Sequence, residues 1–341
     1  MVTRKKSITF TCVALIIASM LAASCTSDET TPTTTVDNSV RPIVIAATEF
    51  ELPIIGDGVS KLPTTVQSAD DLEVTISDTS RIIVLNEAIA EIVIALGFFD
   101  NIIGRDATTT LEALKAIPKV SSGHDISAES VLELKPTLVI GDTRSGPPEA
   151  IQQLRGAGVA IVLAPEVWRL ADIAPRIQLI STALGVTDLG SKLLKNTQRD
   201  IDQALNTLDP STTAPRVAFI YVRGTASVFL LGGKESGADE MIRSAGGIDV
   251  GTDLDLAAFT PLTTEAIVKA NPSIIVVTTR GLASVGGIEG LLQLPGIAQT
   301  PSAKSRAVVS IDDDLLFSFG PRTGALIVRL AQAFKILTSK N

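Results

Sequence analysis

Histidine and tyrosine each occur once in this chain of 341 residues, and both side chains can bind a metal. His124 offers a neutral imidazole nitrogen and Tyr221 a phenolic oxygen. Arg223 follows Tyr221 by two residues, so both side chains point to the same face of an extended strand. A guanidinium beside a phenol stabilises the phenolate, which is a hard oxygen ligand of the kind that ferric iron prefers. Tyrosine is also a known haem ligand, so these residues are compatible with an iron site.

Each of these residues also has an ordinary structural explanation. A lone histidine near a helix start is more often a surface or capping residue, and a tyrosine at a strand end more often packs in a core. The pair indicates more than either residue alone, because each lies near a strand end or helix start in a different half of the chain. Ligands of α/β sheets bind at such positions.

The same composition excludes several kinds of enzyme site. With one histidine, the chain cannot form a zinc or manganese site built on two or three histidines. A serine triad would have to use His124, and no Gly-x-Ser-x-Gly sequence is present. The stretch Gly232-Gly-Lys-Glu235 lacks the spacing of a phosphate-binding loop. The sequence therefore offers no enzyme mechanism that can be assembled from these residues.

Two similar segments lie 136 residues apart and align over fifteen positions without a gap. The first is Ile126-Ser-x-Glu129…Pro136-x-Leu-Val-Ile140, and the second is Leu262-Thr-x-Glu265…Pro272-x-Ile-Ile-Val276. Each has the pattern of a capped helix followed by a buried strand, a unit common in α/β proteins. The shared glutamate, proline and apolar triplet predict two similar lobes.

Short apolar runs alternate with helical patterns on both sides of a longer helical segment, and this predicts an α/β fold with parallel sheets in two lobes. The interruption at Gly185–Asp188 predicts a break within the helical connector. The predicted strands are 81–85, 101–105, 138–140, 159–163, 217–221, 228–231, 274–278 and 308–311, and the predicted helices are 87–96, 127–134, 150–157, 238–245, 265–270 and 324–337. The predicted domains are an N-terminal lobe at 81–168, a connector at 169–208 and a C-terminal lobe at 209–341.

The first residues indicate export. Arg4, Lys5 and Lys6 precede the apolar stretch 8–23, which is short for a membrane span. Leu21-Ala-Ala-Ser-Cys25 resembles the lipobox of bacterial lipoproteins, with Ala22 where that motif more often has leucine. The resemblance implies a signal peptide at 1–24 and a lipid on Cys25 that holds the protein at the outer face of the cytoplasmic membrane. An uncleaved anchor helix is the alternative.

Removal of residues 1–24 would leave an acidic protein whose net charge moves from −8 to −11. Such a protein is a poor partner for nucleic acid, because phosphate contacts need clustered lysine and arginine. Cys12 would be lost and Cys25 lipidated, so no disulfide is expected within one mature chain. Residues 25–80 are predicted to form a tether, flexible over 26–37, and an N-terminal extension with strand character near Ile43 and Leu72.

From about Arg81 onward, the chain resembles the substrate-binding lipoproteins of bacterial ABC importers, in the class that carries siderophores, vitamin B12 and haem. It is most similar to the haem-binding proteins of actinobacterial haem-uptake systems. The residues that carry the resemblance are Leu96-Gly97, Ile103-Gly-Arg-Asp106, Gly123-His-Asp-Ile-Ser-Ala-Glu129, Gly141-Asp-Thr143, Gly146-Pro-Pro148, Tyr221-Val-Arg-Gly224, Leu294-Pro-Gly296 and Phe319-Gly-Pro-Arg322.

The resemblance implies that His124 and Tyr221 bind the haem iron and that Arg223 supports the tyrosine. It also implies two α/β lobes joined by a rigid helix, as in class III periplasmic binding proteins, with the ligand between the lobes and little hinge closure. In this class one acidic residue on each lobe docks onto arginines of the membrane permease, and the matching residues here are Glu129 and Glu265. Both are also first-turn residues that suit a helix dipole. We expect a monomer that takes no part in chemistry on its ligand.

A large apolar ligand needs an aromatic lining, for which the candidates are Trp168, Phe229, Phe259, Phe317 and Phe319. Arg144 and Arg322 could bind carboxylate groups of the ligand, although Arg322 could equally be a structural residue of its turn. A ferric siderophore or cobalamin is the close alternative ligand, for which His124 and Tyr221 would be incidental. An exported enzyme or adhesion module on a similar scaffold is the more distant alternative.

Overall fold

The computed structural model describes residues 42–123, 125–208 and 213–339. The predicted signal peptide, Cys25, the flexible part of the tether and His124 lie outside the described residues. Among the described helices, none has the length and apolarity needed to cross a membrane.

Residues 42–80 fold against the rest of the described chain. They form strands β1 (Ile43–Ile45), β2 (Thr64–Gln67) and β3 (Glu73–Ile76), and a short 3₁₀ turn at Ala47–Glu49. Strands β2 and β3 pair as an antiparallel hairpin, and the amide of Ala69 bonds to the carbonyl of Leu163. The strand character predicted near Ile43 and Leu72 is therefore confirmed.

The N-terminal lobe contains a four-stranded parallel sheet in the order β5-β4-β8-β9. Its strands are buried on both faces, which explains their continuous apolar sequence. Asn86 caps the first helix, because its side-chain oxygen accepts from the amides of Ala88 and Ile89. The strands are β4 (Ile82–Val84), β5 (Ile102–Arg105), β6 (Ser121–Ser122), β7 (Asp125–Ile126), β8 (Leu138–Asp142) and β9 (Ala160–Ala164), and the helices are α1 (Glu87–Ala95), α2 (Ala128–Glu133) and α3 (Pro148–Gly156).

Two helices follow this lobe, α4 (Ile173–Ala183) and α5 (Thr187–Asn206), after a 3₁₀ turn at Leu170–Asp172. The break between them contains Gly185, whose φ of +68° favours glycine, at the predicted position. At Gly190 a Cβ atom would lie 2.1 Å from the Ser181 hydroxyl, so the close approach of α4 and α5 requires glycine there.

The C-terminal lobe contains a seven-stranded sheet in the order β1-β15-β14-β10-β11-β13, with β12 paired to β10. The strands are β10 (Arg216–Arg223), β11 (Val228–Gly232), β12 (Ile248–Asp249), β13 (Phe259–Pro261), β14 (Ile274–Thr278) and β15 (Val308–Ile311). The helices are α6 (Ala238–Ser244), α7 (Val250–Asp253), α8 (Thr264–Ala270), α9 (Thr279–Ser284), α10 (Gly287–Leu292), α11 (Pro301–Lys304), α12 (Asp313–Leu316) and α13 (Thr323–Thr338).

In this second sheet β11 runs antiparallel to both of its neighbours, β10 and β13, and the other strand pairs are parallel. The turn between β10 and β11, at Gly224–Ser227, is too short for the crossover that a parallel pair requires. Extended strand β1 adds to the other edge, parallel to β15, so the N-terminal extension is part of the C-terminal sheet.

The two similar segments have matching backbone features. Ser127 caps α2 and Thr263 caps α8, each by accepting an amide hydrogen bond from three residues on, at 3.1 Å. Lys135 and Asn271, which precede the matching prolines, both have positive φ, at 48° and 46°. These equivalent caps and helix ends support the predicted duplication of one α/β unit.

One continuous cluster of buried apolar side chains joins the two lobes. It includes Ile92 and Ile140 of the N-terminal lobe, Ile180 of α4, and Phe219 and Leu330 of the C-terminal lobe. Two further clusters cover the outer face of each sheet. The fold is therefore α/β, with two lobes, largely parallel sheets and helices packed between them.

Candidate ligand-binding cleft

A cavity of about 420 Å³ lies between the two lobes. Its polar lining follows the carboxyl ends of strands β4, β8, β10, β14 and β15, where parallel sheets bind ligands. The volume is in the range of small-molecule sites. The lining residues are Asn86, Glu87, Ala88, Thr108, Arg144, Trp168, Tyr221, Arg223, Leu230, Phe259, Arg280, Asp313, Asp314, Phe317 and Ser318.

Tyr221 and Arg223 lie together at the end of β10. Their alternation along the strand brings both side chains to the cleft, and the Arg223 guanidinium carbon lies 4.6 Å from the centre of the Tyr221 ring. Phe259 packs against the Tyr221 ring in an edge-to-face arrangement, with the two ring centres 5.9 Å apart. The structure thus brings together three residues that the sequence predicts for the site.

Three acceptors hold the Arg223 guanidinium. Nη2 donates to Oδ1 of Asp313 at 2.9 Å, and Nη1 donates to the Val222 carbonyl at 3.0 Å and to Oγ1 of Thr278 at 3.4 Å. Asp313 is buried and also lies beside Arg280, which is half exposed in the same wall. The C-terminal wall is therefore an ordered chain of a phenol, two guanidiniums and a carboxylate.

The N-terminal wall contains Arg144 and Trp168. Arg144 donates to Oδ2 of buried Asp142 at 2.9 Å, and its guanidinium carbon lies 5.2 Å from the centre of the Trp168 ring. The indole nitrogen of Trp168 donates to Glu166 at 3.1 Å, which fixes the ring. A stacked guanidinium with one side toward the cavity suits an anionic group on a flat ligand.

The aromatic candidates separate into two groups. Trp168, Phe259 and Phe317 line the cavity, whereas Phe229 and Phe319 do not. Phe229 packs with the outer cluster of the C-terminal sheet, because it alternates with Leu230, which faces the cavity. Phe319 is 1% exposed and belongs to the core between the lobes. The prediction that Phe229 and Phe319 line the ligand site is therefore wrong.

Arg322 also lies outside the lining of the cavity. It is 3% exposed, and its Nη2 atom lies 3.3 Å from a Glu87 oxygen and 2.5 Å from a Glu91 oxygen, while Nη1 donates to the Ala47 carbonyl. These contacts join α1 of one lobe to the start of α13 in the other. The prediction that Arg322 binds a ligand carboxylate is replaced by the structural role that was its alternative.

The floor of the cavity contains acidic groups with unusual proton affinity. Burial, with the nearby charges of Asp314 and Glu91, raises the pKa of Glu87 to about 8. Burial likewise raises the pKa of Asp314 to about 6. The hydroxyl of Thr110 lies between them, 3.2 Å from Glu87 and 3.0 Å from Asp314. The two carboxyl groups, one from each lobe, are thus linked through one hydroxyl.

Sequence reasoning missed Glu87, Arg280, Asp313 and Asp314. A usable signal was present, since Arg280 follows the predicted strand 274–278 by two residues and Asp313 follows the predicted strand 308–311 by two. Side chains just beyond the carboxyl ends of parallel strands gather at one edge.

The chain neighbours of His124 connect to the N-terminal wall, while His124 itself is not among the described residues. Ser121 pairs with Ile126, and the Ser121 hydroxyl accepts from the amide of Ala107, next to Thr108 of the lining. The amide of Ile126 bonds to the carbonyl of Gly146, close to Arg144.

Glu129 and Glu265 are both exposed and lie in the first turns of α2 and α8. Neither lines the cavity. They occupy equivalent positions on two similar units, as the repeated sequence predicts.

Similarity to known proteins defines the class of this chain. The model of the periplasmic binding protein family matches residues 82–315. The chain therefore belongs to the periplasmic binding protein family, whose members bind substrates. Curated relatives include an uncharacterized ABC transporter substrate-binding lipoprotein, YvrC, of Bacillus subtilis, which is 28% identical over 80% of this chain and 85% of its own. A vitamin B12-binding protein of Vibrio vulnificus is 24% identical over 76% of this chain and 92% of its own.

Two solved structures are more similar in sequence. The periplasmic haem-binding protein RhuT from Roseiflexus sp. RS-1, in apo form, is 37% identical, with a TM-score of 0.74 over 76% of this chain and 99% of that one. The haem-binding protein HmuT is 32% identical, with a TM-score of 0.78 over 86% of this chain and 97% of that one.

Proposed function

We propose that this protein binds ferric haem in the cleft between its lobes and delivers it to the permease of an ABC importer. Tyr221 carries this proposal, because it faces the cleft with the Arg223 guanidinium 4.6 Å from its ring. Phenolate oxygen binds ferric iron, and a neighbouring guanidinium would offset the negative charge of the iron-bound phenolate. Similarity to RhuT and HmuT, which are haem-binding proteins, supports the same ligand.

The rest of the cleft suits a flat, largely apolar ligand with acidic groups. Trp168, Phe259 and Phe317 offer aromatic surface on both walls, and Arg144 offers a stacked guanidinium for a carboxylate. In this proposal the haem supplies four iron ligands from its own ring, so the protein needs to add at most two.

We propose His124 as the second axial ligand. The strands on either side of it are bonded to the loops that contribute Thr108 and Arg144 to the lining, and this supports a position at the N-terminal wall. An imidazole on one wall and a phenolate on the other would clamp the iron between the lobes.

Delivery requires a surface that the ligand does not occupy. We propose that exposed Glu129 and Glu265, one on each lobe, contact arginines of the permease. The chain would act as a monomer held to the membrane by a lipid on Cys25. Exposed charges contribute mainly to orientation and encounter rate, which suits a transient delivery complex.

Cobalamin is the second candidate, because curated relatives at 24% and 23% identity are named vitamin B12-binding proteins. A titration with each ligand separates the two functions. Trp168 is the one tryptophan of the chain and lines the cleft, so quenching of its fluorescence reports occupancy of this site.

Ferric haem should quench Trp168 saturably and shift the Soret band, and iron-free protoporphyrin should bind more weakly because it cannot be ligated. Cyanocobalamin should leave the fluorescence unchanged at the same concentrations. Saturable quenching by cyanocobalamin without a Soret shift on addition of haem would reject haem in favour of cobalamin.

A further inference from the structure

Asp313 lies in the C-terminal wall between Arg223 and Arg280, and the proposed function gives it no role of its own. It is the first residue of α12, and its side chain is 5% exposed. A carboxylate this deeply buried must be compensated by charge and hydrogen bonds. Its two oxygens divide that compensation between two different elements.

One oxygen of Asp313 is fixed by backbone. Oδ2 accepts from the amide of Arg280 at 2.9 Å, in the first turn of α9. This bond sets the plane of the carboxylate, so the direction of the other oxygen is set as well. Oδ1 accepts from Nη2 of Arg223 at 2.9 Å and lies 3.3 Å from Nε of Arg280.

Arg223 needs such a partner to keep its position. The other acceptors of its guanidinium are the Val222 carbonyl and the Thr278 hydroxyl, both neutral, at 3.0 Å and 3.4 Å. Charge-assisted hydrogen bonds are about twice as strong as neutral ones. Since the Arg223 side chain is 31% exposed, it could otherwise turn toward water or toward a ligand carboxylate.

We propose that Asp313 is a positioning residue, which holds the Arg223 guanidinium over the Tyr221 ring and thereby stabilises the iron-bound phenolate. This inference rests on the proposed haem function. Residues that orient a metal ligand in this indirect way typically change metal affinity by 10- to 100-fold when they are removed.

The test is a double-mutant cycle with Asp313→Asn and Arg223→Ala. Asparagine keeps the shape of aspartate but has only one acceptor oxygen. Its NH2 group would face either Arg223 or the amide of Arg280, which are both donors, so one of the two hydrogen bonds is lost. The measurements are the rate of haem release to excess apomyoglobin and the iron–phenolate vibration in the resonance Raman spectrum.

We expect Asp313→Asn to release haem roughly 10-fold faster than the wild type and to shift the frequency of the iron–phenolate vibration. In the Arg223→Ala background the same substitution should change neither quantity, because Asp313 acts through Arg223. An equal effect in both backgrounds, or no effect in the wild type, would overturn the positioning role.

Asp239→Asn is a matched control for loss of a buried carboxylate. Asp239 is 6% exposed, pairs with Arg243 at 3.4 Å and lies outside the lining of the cleft, so its loss should lower stability without changing haem release. If Asp313→Asn does not fold, Asp313→Ser adds no volume and should give the same result. If the wild type does not bind haem, both the proposed function and the positioning role of Asp313 are wrong. If the wild type binds haem and Asp313→Asn releases it at the same rate, only the positioning role is wrong.

Discussion

Two clusters of charged residues lie within the same cleft region and differ in what surrounds them. The floor cluster (Arg322, Glu87 and Glu91) is buried between the lobes, with only Glu87 reaching the lining of the cavity, and each of its side chains is 4% exposed or less. The wall cluster (Tyr221, Arg223 and Asp313) opens to the cavity, and its arginine is 31% exposed. The arginine of the floor cluster is held by two carboxyl groups and that of the wall cluster by one, but only the wall cluster presents a phenol to a ligand.

The difference shows that a guanidinium near a cleft can have either of two purposes. Where both partners are desolvated and belong to different lobes, as in the floor cluster, the ion pair fixes how the lobes pack. Where the guanidinium reaches the cavity surface, as in the wall cluster, it can change the chemistry of a neighbouring ligand group. Substitutions should therefore affect stability at the floor and affinity at the wall.

The largest effect is expected at the floor. Arg322→Ala removes the cation of buried Glu91 and a hydrogen-bond donor to buried Glu87, and removal of one partner from a buried pair costs about 3–5 kcal/mol. Arg329→Ala, on the same helix α13, removes a partly exposed pair with Glu49 and should cost less than about 1 kcal/mol. Chemical denaturation measures both values. A cost for Arg322→Ala no larger than that for Arg329→Ala would contradict the distinction between floor and wall.

At the wall the expected effect is on affinity. Tyr221→Phe removes the phenolic oxygen and keeps the ring against Phe259, so ferric haem affinity should fall by roughly 100-fold, while the free energy of unfolding changes little. Affinity for iron-free protoporphyrin provides the control and should be nearly unchanged. Equal losses for both porphyrins would mean that Tyr221 contributes packing and not iron ligation.

The floor should also respond to pH. Because the pKa of Glu87 in the folded state is raised to about 8 from 4.5, the stability that its protonation contributes is present at low pH and is lost as the pH rises through about 8. Glu87→Gln cannot lose this proton, so its unfolding free energy should fall less between pH 6 and 8, by up to about 1.4 kcal/mol per pH unit. Denaturation at several pH values tests this, and identical slopes for the two proteins would contradict it.

At the exposed glutamates Glu129 and Glu265, which do not line the cavity, no change in haem affinity is expected. Glu129→Lys and Glu265→Lys reverse charges on the exposed faces of the lobes and should reduce delivery to the permease, measured as haem uptake by cells. Glu149→Lys is the matched control, because Glu149 is exposed in the first turn of a different helix, α3. A loss of haem affinity in the Glu129 or Glu265 variant would assign that residue to the binding site instead.

Much of the fold follows from sequence because its signals are local. Buried strands such as Ile274–Thr278 are continuous apolar runs, and helix starts at Ser127 and Thr263 carry their own caps. The antiparallel pairing of β11 was missed because an apolar run does not specify the direction of its neighbour.

The cleft is less predictable because burial depends on packing between distant segments. In the sequence, Arg280 follows a strand and Arg322 lies in a turn. Arg322 is buried because it contacts Glu87 and Glu91, which are more than 230 residues away in the chain. Arg280 stays half exposed beside Asp313 and Asp314. Tyr221 and Arg223 were predictable because their two-residue spacing on one strand already places them on one face.

Ligation of the haem iron by Tyr221 can be tested directly, because Tyr221 is the single tyrosine of the chain. Protein produced with ring-deuterated tyrosine carries the label at Tyr221 alone, and resonance Raman spectra of its ferric haem complex can be compared with those of unlabelled protein. If Tyr221 binds the iron, the spectrum should contain an iron–phenolate vibration that shifts with the label and is absent from Tyr221→Phe. A bound haem whose spectrum is insensitive to the label would contradict ligation by Tyr221.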